Sequence, residues 1–429
     1  MKKIFVLSFI SVGYFLNAQS LSNSPYATYG IGDVKYDNTI ETASMGGIST
    51  AFISDFTSNF NFANPANNTN FELTSIKLEA TNENNYFKTN YNNTKSTKHS
   101  TYLSNISLAF PISSKIKMGL SYQPYSSKSY EILNSTKTLN ANNEEITFVN
   151  RFKGTGTLST AQVAVSYKVN NEFALGLRAN YYFGNLYDTN EITTAGSELI
   201  NGYETKNSIK NFNFTLGTSY QHLNTRTDKK LTIGATTTFG NTSDMTTDYK
   251  NSTYFYKDVD TKAYESVIEQ KSTSSKNLLP LQASLGVGYG SENQWFISGQ
   301  LDYKKGESIS YFGKTLDFDD TYRISAGGWY LPNYNNFRNY FSRVVYRYGA
   351  FYERGGLKIA NNNINKFGIS AGVMLPFKTS SITRMSGLEL GIELGKRGTL
   401  KDNLINQNFI NLRVGFNFAD KWFRKNLYN

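Results

Sequence analysis

Few of the residue types that carry most enzyme chemistry occur in useful arrangement along this 429-residue chain. It has no cysteine and two histidines, His99 and His222, neither with a second imidazole near it in sequence. A zinc site needs three or four convergent ligands and an imidazole-based triad needs a nucleophile beside its base, so neither is supported. The acidic run Asp317-Phe318-Asp319-Asp320 falls in a polar stretch and reads as solvated loop charge before it reads as a calcium site. No catalytic residue, metal site or cofactor is expected. The formal charge is +11, of which Lys2 and Lys3 supply two, and the remaining basic residues are scattered among acids. A nucleic-acid partner would need a focused basic patch, and none is present.

Other residues stand out for what their backbone does. Gly46-Gly47 lets one backbone approach another, or starts a turn, where a side chain has no room. Pro65 fixes its own φ and biases Asn64 away from helix. Together with Asp55 and Ala66 these residues mark a segment, Gln19 to Asn70, rich in small and aromatic residues that do not alternate. It reads as folded material inside or beneath a larger scaffold, with a flexible leader as the plain alternative. Ala43 to Phe62 is expected to be partly helical, with Asn64-Pro65-Ala66 turning the chain into the first strand.

The scaffold itself is written in alternation. In the last strand Ile410, Leu412, Val414, Phe416 and Phe418 alternate with Phe409, Asn411, Arg413, Gly415 and Asn417. One face is apolar and the other mostly polar, the signature of a strand between lipid and a lumen. The same rhythm marks segments near 71–80, 101–110, 116–123, 159–167, 173–183, 212–220, 231–239, 281–289, 295–303, 321–330, 345–353, 366–375, 386–395 and 408–418. The fold class is therefore all-β: a transmembrane antiparallel barrel of fourteen strands with an N-terminal luminal plug or hatch. A hairpin within 124–158 would raise the count to sixteen. Short links alternate with long Asn/Thr-rich ones, which implies short periplasmic turns, long outer loops and both termini in the periplasm. No apolar stretch is long enough to be a membrane helix.

Ahead of this, Lys2-Lys3, the apolar run Ile4 to Leu16 and the small residue Ala18 form a secretory signal peptide. The chain divides into a signal peptide at 1–18, a plug or hatch at 19–70 and a barrel at 71–429. With 31 Tyr and 30 Phe it has ample material for interfacial girdles.

The stretch Ala43-Ser44-Met45-Gly46-Gly47-Ile48-Ser49-Thr50-Ala51-Phe52, followed by Asp55 and Asn61-Phe62-Ala63-Asn64-Pro65-Ala66, resembles the N-terminal signature of the FadL-type outer-membrane transport family (OmpP1/FadL/TodX). The opening Ser24-Pro25-Tyr26-Ala27-Thr28-Tyr29-Gly30-Ile31-Gly32-Asp33 and the close Asn417 to Lys425 resemble Bacteroidota members of that family. The resemblance implies a fourteen-stranded barrel with an N-terminal hatch and passage of small hydrophobic compounds, of fatty-acid or aromatic-hydrocarbon type. Tyr182, Phe409 and Arg413 are then candidates to line the lumen. It also admits a second role, as a FadL-like accessory of a type 9 protein-secretion complex. Expected surroundings are outer-membrane lipid and lipopolysaccharide, the barrel assembly machinery, and either a hydrophobic solute or secretion-system proteins. A closed apolar pocket with a lateral gap would favour transport; a filled lumen would favour the accessory.

Overall fold

The computed structural model describes residues 24–421 apart from 36–38, 55, 91–92, 140–141, 259–260, 293, 312–313, 337 and 378–384. The signal peptide at 1–18, Asp55 and the end of the closing motif beyond Lys421 lie outside the described residues.

Alternation closes into a ring. The strands in chain order are β1 (Asp33–Val34), β2 (Thr74–Thr89), β3 (Lys95–Pro111), β4 (Ile116–Ser127), β5 (Tyr130–Leu139), β6 (Glu145–Lys168), β7 (Phe173–Thr194) and β8 (Ile200–Asn224). They continue as β9 (Lys229–Thr238), β10 (Asn241–Asp258), β11 (Thr261–Leu279), β12 (Gln282–Ser291), β13 (Trp295–Lys304), β14 (Ser308–Tyr311), β15 (Lys314–Asp317) and β16 (Thr321–Tyr330). The last are β17 (Val345–Arg354), β18 (Lys358–Ile359), β19 (Asn362–Asn363), β20 (Lys366–Pro376), β21 (Gly387–Gly398) and β22 (Ile405–Asp420). Antiparallel ladders run β2-β3-β4-β6-β7-β8-β9-β12-β13-β16-β17-β20-β21-β22, and β22 returns to β2 with Thr74 opposite Asp420. That is a closed fourteen-stranded antiparallel barrel, and each of the fourteen alternating segments falls on one of its strands. Closure leaves no ring edge to be satisfied by lipid, which cannot hydrogen-bond.

The apolar phase faces out. On β22, Leu412, Val414 and Phe416 are 47%, 40% and 42% exposed, whereas Phe409, Asn411 and Asn417 are buried on the interior side. Among the described residues no helix is long and apolar enough to cross a membrane.

Several strands run well past what a bilayer requires. β6, β7 and β8 have 24, 22 and 25 residues, against about 9–11 for a spanning strand. The hairpin within 124–158 exists, as β5 paired with the first half of β6. It prolongs the wall above the ring and adds no strand to it, so the count stays at fourteen. β10 and β11 form a similar upward hairpin, with β10 also pairing the upper part of β8. Because the strands are this long, His99 lies within β3 and His222 within β8, not in the connections where the sequence pattern puts them. His99 shares a hydrogen bond with Asn84 and His222 one with Glu172.

The N-terminal segment departs from the expected helix. Among its described residues only α1 (Ile40–Ala43) is α-helical. The chain then turns at Gly46 and Gly47, with φ +74° and +93°, a conformation that ends a right-handed helix and that glycine adopts without steric cost. Pro65 does not end a helix either. It opens a short 3-10 turn, Pro65–Asn68, whose N-cap is Asn64, and in that first turn the N–H that proline lacks would have had no partner within the helix.

Candidate functional site

The interior is built from two halves. At the end carrying the short connections, the described residues of 40–71 lie against the inward faces of the strands. Buried Met45, Ile48, Phe52 and Phe56 pack on Phe296, Trp329, Leu331, Val345 and Met374. Phe60, Phe62 and Phe71 pack beside Ala109 and Ala164.

Close approach is made possible by glycines on the wall. Gly327 and Gly349 face each other across β16 and β17, and Gly372 and Gly391 across β20 and β21. A Cβ on Gly349 would stand 2.1 Å from the Met45 carbonyl carbon and 2.3 Å from the Gly46 nitrogen. A second patch, Gly176, Gly217, Gly234 and Gly286, crosses β7, β8, β9 and β12. There a Cβ on Gly176 would meet Ala66 N at 2.3 Å, and one on Gly234 would meet Thr50 O at 1.8 Å. The motif residues Gly46, Asn64, Pro65 and Ala66 therefore touch the wall directly. The wall glycines escape motif reading; their signal is glycine recurring in the polar phase of successive strands.

Polar groups of the segment are satisfied largely by side chains. Asn64 donates to the carbonyls of Thr50 and Thr218 at 2.7 and 3.1 Å, while its own side-chain oxygen accepts from Ala66 N. Asn61 and Asn67 both donate to the Ser49 carbonyl, at 2.8 and 2.9 Å. From the wall, Gln300 accepts from the amides of Ser49 and Thr50, and Arg323 donates to Gly46 O at 2.9 Å. Arg178 donates to Phe62 O.

Beneath these contacts lies a buried ionic cluster. Arg347 meets Glu41 at 2.6 Å and Glu389 at 3.7 Å, and Lys77 meets Glu79 at 2.8 Å and Glu389 at 3.4 Å. Asn59 donates to both Glu41 and Glu389 and accepts from Asn417. All four wall charges and Glu41 are buried. Several kcal/mol of desolvation per ion is offset there by pairing, so removing one member is costly.

At the other end the lumen holds a cavity of about 300 Å³. Tyr182, Phe409 and Arg413 all line it. Arg413 pairs with Glu393 at 2.9 Å, Tyr182 packs edge-on against Tyr125, and Lys366 lies over the Phe409 ring. The remaining lining mixes charged groups, among them Asp33, Lys35, Glu83, Arg323, Glu353 and Arg397, with apolar ones such as Ile31, Phe318, Leu357 and Ile364. Lys35 bonds Glu83 at 2.8 Å and Asp33 at 3.3 Å, and Arg397 bonds Asp33 at 2.6 Å. Burial pushes the Asp33 carboxyl up, but Lys35 and Arg397 outweigh it and hold the group well below the usual carboxylate range. Burial likewise opposes the Lys35 charge, and Glu83 and Asp33 overcome it, holding the ammonium above the usual lysine range. Tyr26, buried at the cavity edge, is pushed up to about 12.

The wall beside this cavity is interrupted. β3 and β4 pair only from Ile106–Tyr122 to Pro111–Lys117. Above that level β4 carries a register irregularity between Pro124 and Ser126, and β1 takes the vacated edge, with Val34 opposite Ser126 and Asp33 opposite Ser127.

Among the described residues no group of three or more His, Cys, Asp or Glu is disposed to hold a metal, and His99 and His222 bond Asn84 and Glu172, not a hydroxyl.

A family model described as BamG matches residues 1–429. The chain belongs to the BamG family. Its fold is shared with a Pseudomonas aeruginosa FadL homologue, 12% identical with a TM-score of 0.58, the match covering 90% of this chain and 98% of that one. The CymD monoaromatic hydrocarbon channel is 13% identical with a TM-score of 0.56, covering 89% and 97%. The Pseudomonas putida toluene transporter TodX is 14% identical with a TM-score of 0.55, covering 91% and 99%. At such identities the likeness is one of fold, and the FadL-type resemblance holds at that level. The architecture is that of a multi-pass outer-membrane β-barrel. No curated protein matches the chain in sequence.

Proposed function

We propose that this protein is a plugged outer-membrane barrel with a structural, protein-binding role in an outer-membrane assembly. The observation that carries the reading is the state of the lumen. Residues 40–71 occupy one half, clamped by glycine patches and by the Glu41–Arg347 pair, and ion pairs line the other. In this reading 19–70 is the plug, with Gly46, Gly47, Asn64, Pro65 and Ala66 as its seating residues, and the short connections face the periplasm. An apolar solute recovers little free energy in a cavity walled by Lys35, Asp33, Glu83, Arg397, Glu393 and Arg413, which it cannot hydrogen-bond. The long upper strands, by contrast, offer a wide surface outside the membrane for protein contact.

The interrupted wall between β3 and β4 favours a second reading, in which small hydrophobic compounds pass sideways into the membrane, and the fold relatives include channels for such compounds.

Two measurements separate them. Under the first reading, purified protein in planar bilayers conducts poorly, and mild-detergent extraction recovers the barrel in stoichiometric complex with partners. Those partners are either secretion-complex subunits or the barrel assembly machinery, retained long after insertion. Recovery of the barrel alone, together with saturable uptake of toluene or oleate into proteoliposomes, overturns the first reading in favour of the second.

A further inference from the structure

The rim of the barrel is lopsided. β6, β7 and β8 rise far above the ring at 24, 22 and 25 residues, whereas β13, β16 and β17 have 10 each, β20 has 11 and β21 has 12. On that low side, strands running toward the long connections end their outward faces alike. In steps of two, β13 leads through Leu301 and Tyr303 to Lys305 just past its end, β17 through Tyr352 to Arg354, and β21 through Ile392 and Leu394 to Lys396. All three cations are exposed. The strands between them bring rings to the same face: Tyr322 lies opposite Tyr303 and Arg354, and Phe367 opposite Tyr352 and Lys396. No acid shares the outward phase of β17, β20 or β21, since Glu353 lines the cavity and Glu389 and Glu393 are buried inside. Lys305 does have a carboxylate beside it, Asp320, which accepts from Gly306 N and from the Tyr303 and Tyr322 hydroxyls. Arg354 and Lys396 are therefore the uncompensated core of the patch.

We infer that this patch is a discrete site for one phosphorylated glycolipid of the outer leaflet. Its acyl chains lie on exposed Ile324, Ile369 and Leu394, and its phosphate meets Arg354 and Lys396. The inference goes beyond the protein-binding role and shares with it only the orientation, long connections outside. Three observations point to this ligand. The first is level. Each cation stands two residues, about 7 Å along the strand, past the last lipid-facing side chain, where headgroups lie and hydrocarbon ends. The second is charge and reach. β17 and β21 are separated by β20 alone, so the two side chains start roughly 10 Å apart and close on a phosphate from both sides. Arginine adds a planar fork that binds phosphate oxygens in pairs. The third is room. A bulky saccharide headgroup can spread over the low rim, whereas on the tall side the wall continues upward and Lys206 already faces Asp248 of β10. Phosphate, aromatic rings and apolar chains thus meet their complements in one vertical order, which neither a soluble anion nor a neutral lipid satisfies.

The test uses the purified full-length protein in detergent, with heat-modifiable migration establishing that each variant has assembled. Phosphorylated lipid A, the same lipid A after phosphatase treatment, phosphatidylglycerol and inorganic phosphate are titrated separately, and bound species are counted by native mass spectrometry. Expected is one saturable phosphorylated lipid A per barrel. Its affinity falls at least tenfold in Arg354→Gln/Lys396→Gln, and the wild type binds the dephosphorylated lipid at least tenfold more weakly. Lys206→Gln, on the tall side, should bind as the wild type does. Wild-type affinity in the double variant overturns the site. Equal affinity for the dephosphorylated lipid reduces the contact to acyl chains and also overturns it. Equal affinity for phosphatidylglycerol makes the patch a general anionic-lipid face, and inorganic phosphate held as tightly as lipid A makes it an ion site; either result overturns the glycolipid. If the double variant keeps lipid A but loses a co-purifying protein, the patch is a protein contact and the site falls. Lipid binding is read without any partner, so its failure leaves the protein-binding role standing.

Discussion

Val414 and Asn411 lie three positions apart on β22 and answer to different solvents. Val414 is on the exposed apolar face, so Val414→Arg places a guanidinium in lipid and costs roughly 2–4 kcal/mol near midplane. Asn411 points inward, directly opposite Glu83 on β2 and Glu393 on β21. Adding charge there is tolerated in one sign only. Asn411→Lys gains two carboxylates and should assemble at wild-type level, whereas Asn411→Asp meets both as like charges and should assemble poorly. Urea titration of the folded, heat-modifiable band checks all three; equal midpoints for the lysine and aspartate variants would refute the charge argument. The Asp33 carboxylate provides a pH counterpart. Its pKa in the folded chain lies below the unfolded value of about 4. The unfolded state therefore binds the proton first, and the stabilisation is complete above about pH 5. It is lost as pH falls through 4 toward the depressed value. Exchange of the Lys35 amide, which donates to Tyr125 O at 2.7 Å, should accelerate over that acid range once corrected for intrinsic rates. Asp33→Asn should remove the transition.

Elements show where interior close packing is decided. The glycine patches allow main chain to lie on main chain, so a single side chain there acts as a wedge. Gly349→Val should lift the Met45–Gly46 turn off β17 and raise single-channel conductance while the barrel still assembles. Gly299→Ala is the control, since the nearest atom to its added Cβ is Ser325 O at 4.0 Å. Equal conductance for both variants would mean the turn does not seat on that patch. How far each element was legible in the sequence follows from its solvent. Within the membrane, lipid on one side and polar lumen on the other impose period two on β22, β13 and β16, and the pattern locates them to within a few residues. Above the membrane both faces of β6, β7 and β8 meet polar surroundings. The alternation fades there, so Glu145–Leu158 and Ile200–Asn211 look like loop in the sequence although they are strand. The interior segment fails for a different reason. Its small residues suit a helix, but Gly46 and Gly47 adopt positive φ where Gly46 lies against Ala350 of the wall, and sequence alone does not disclose a tertiary contact. Tyr182, Phe409 and Arg413 were legible as inward by phase alone, whereas the ion pairs that make the cavity polar depend on cross-strand register.

At the scale of the whole molecule, the ring closes on itself and the described residues of 40–71 are held against it by apolar packing, glycine contacts and buried charge. The ring closes through its own ladders, and residues 24–71 add to it a short pairing of β1 with Ser126 and Ser127 on β4. The buried wall charges Lys77, Arg347, Glu79 and Glu389 sum to zero, and Glu41 from the segment adds one negative charge. Removing the segment thus leaves a neutral set that entering water can solvate, whereas leaving the segment and neutralising Arg347 strands three carboxylates with one lysine. Breaking a buried pair from one side costs about 3–5 kcal/mol, which is enough to shift the segment without threatening a fourteen-stranded ring. Two outcomes are expected in planar bilayers. Deleting 19–66 behind an intact signal peptide should yield an assembled barrel with large, steady conductance. Arg347→Met should yield intermittent openings of similar amplitude, suppressed in the double variant Arg347→Met/Glu41→Gln because the buried charge imbalance is reduced. Unchanged conductance in an assembled deletion variant would show that the segment is not what closes the lumen. The ion pairs of the outer cavity would then be the barrier, and Arg413 and Glu393 the residues to remove next.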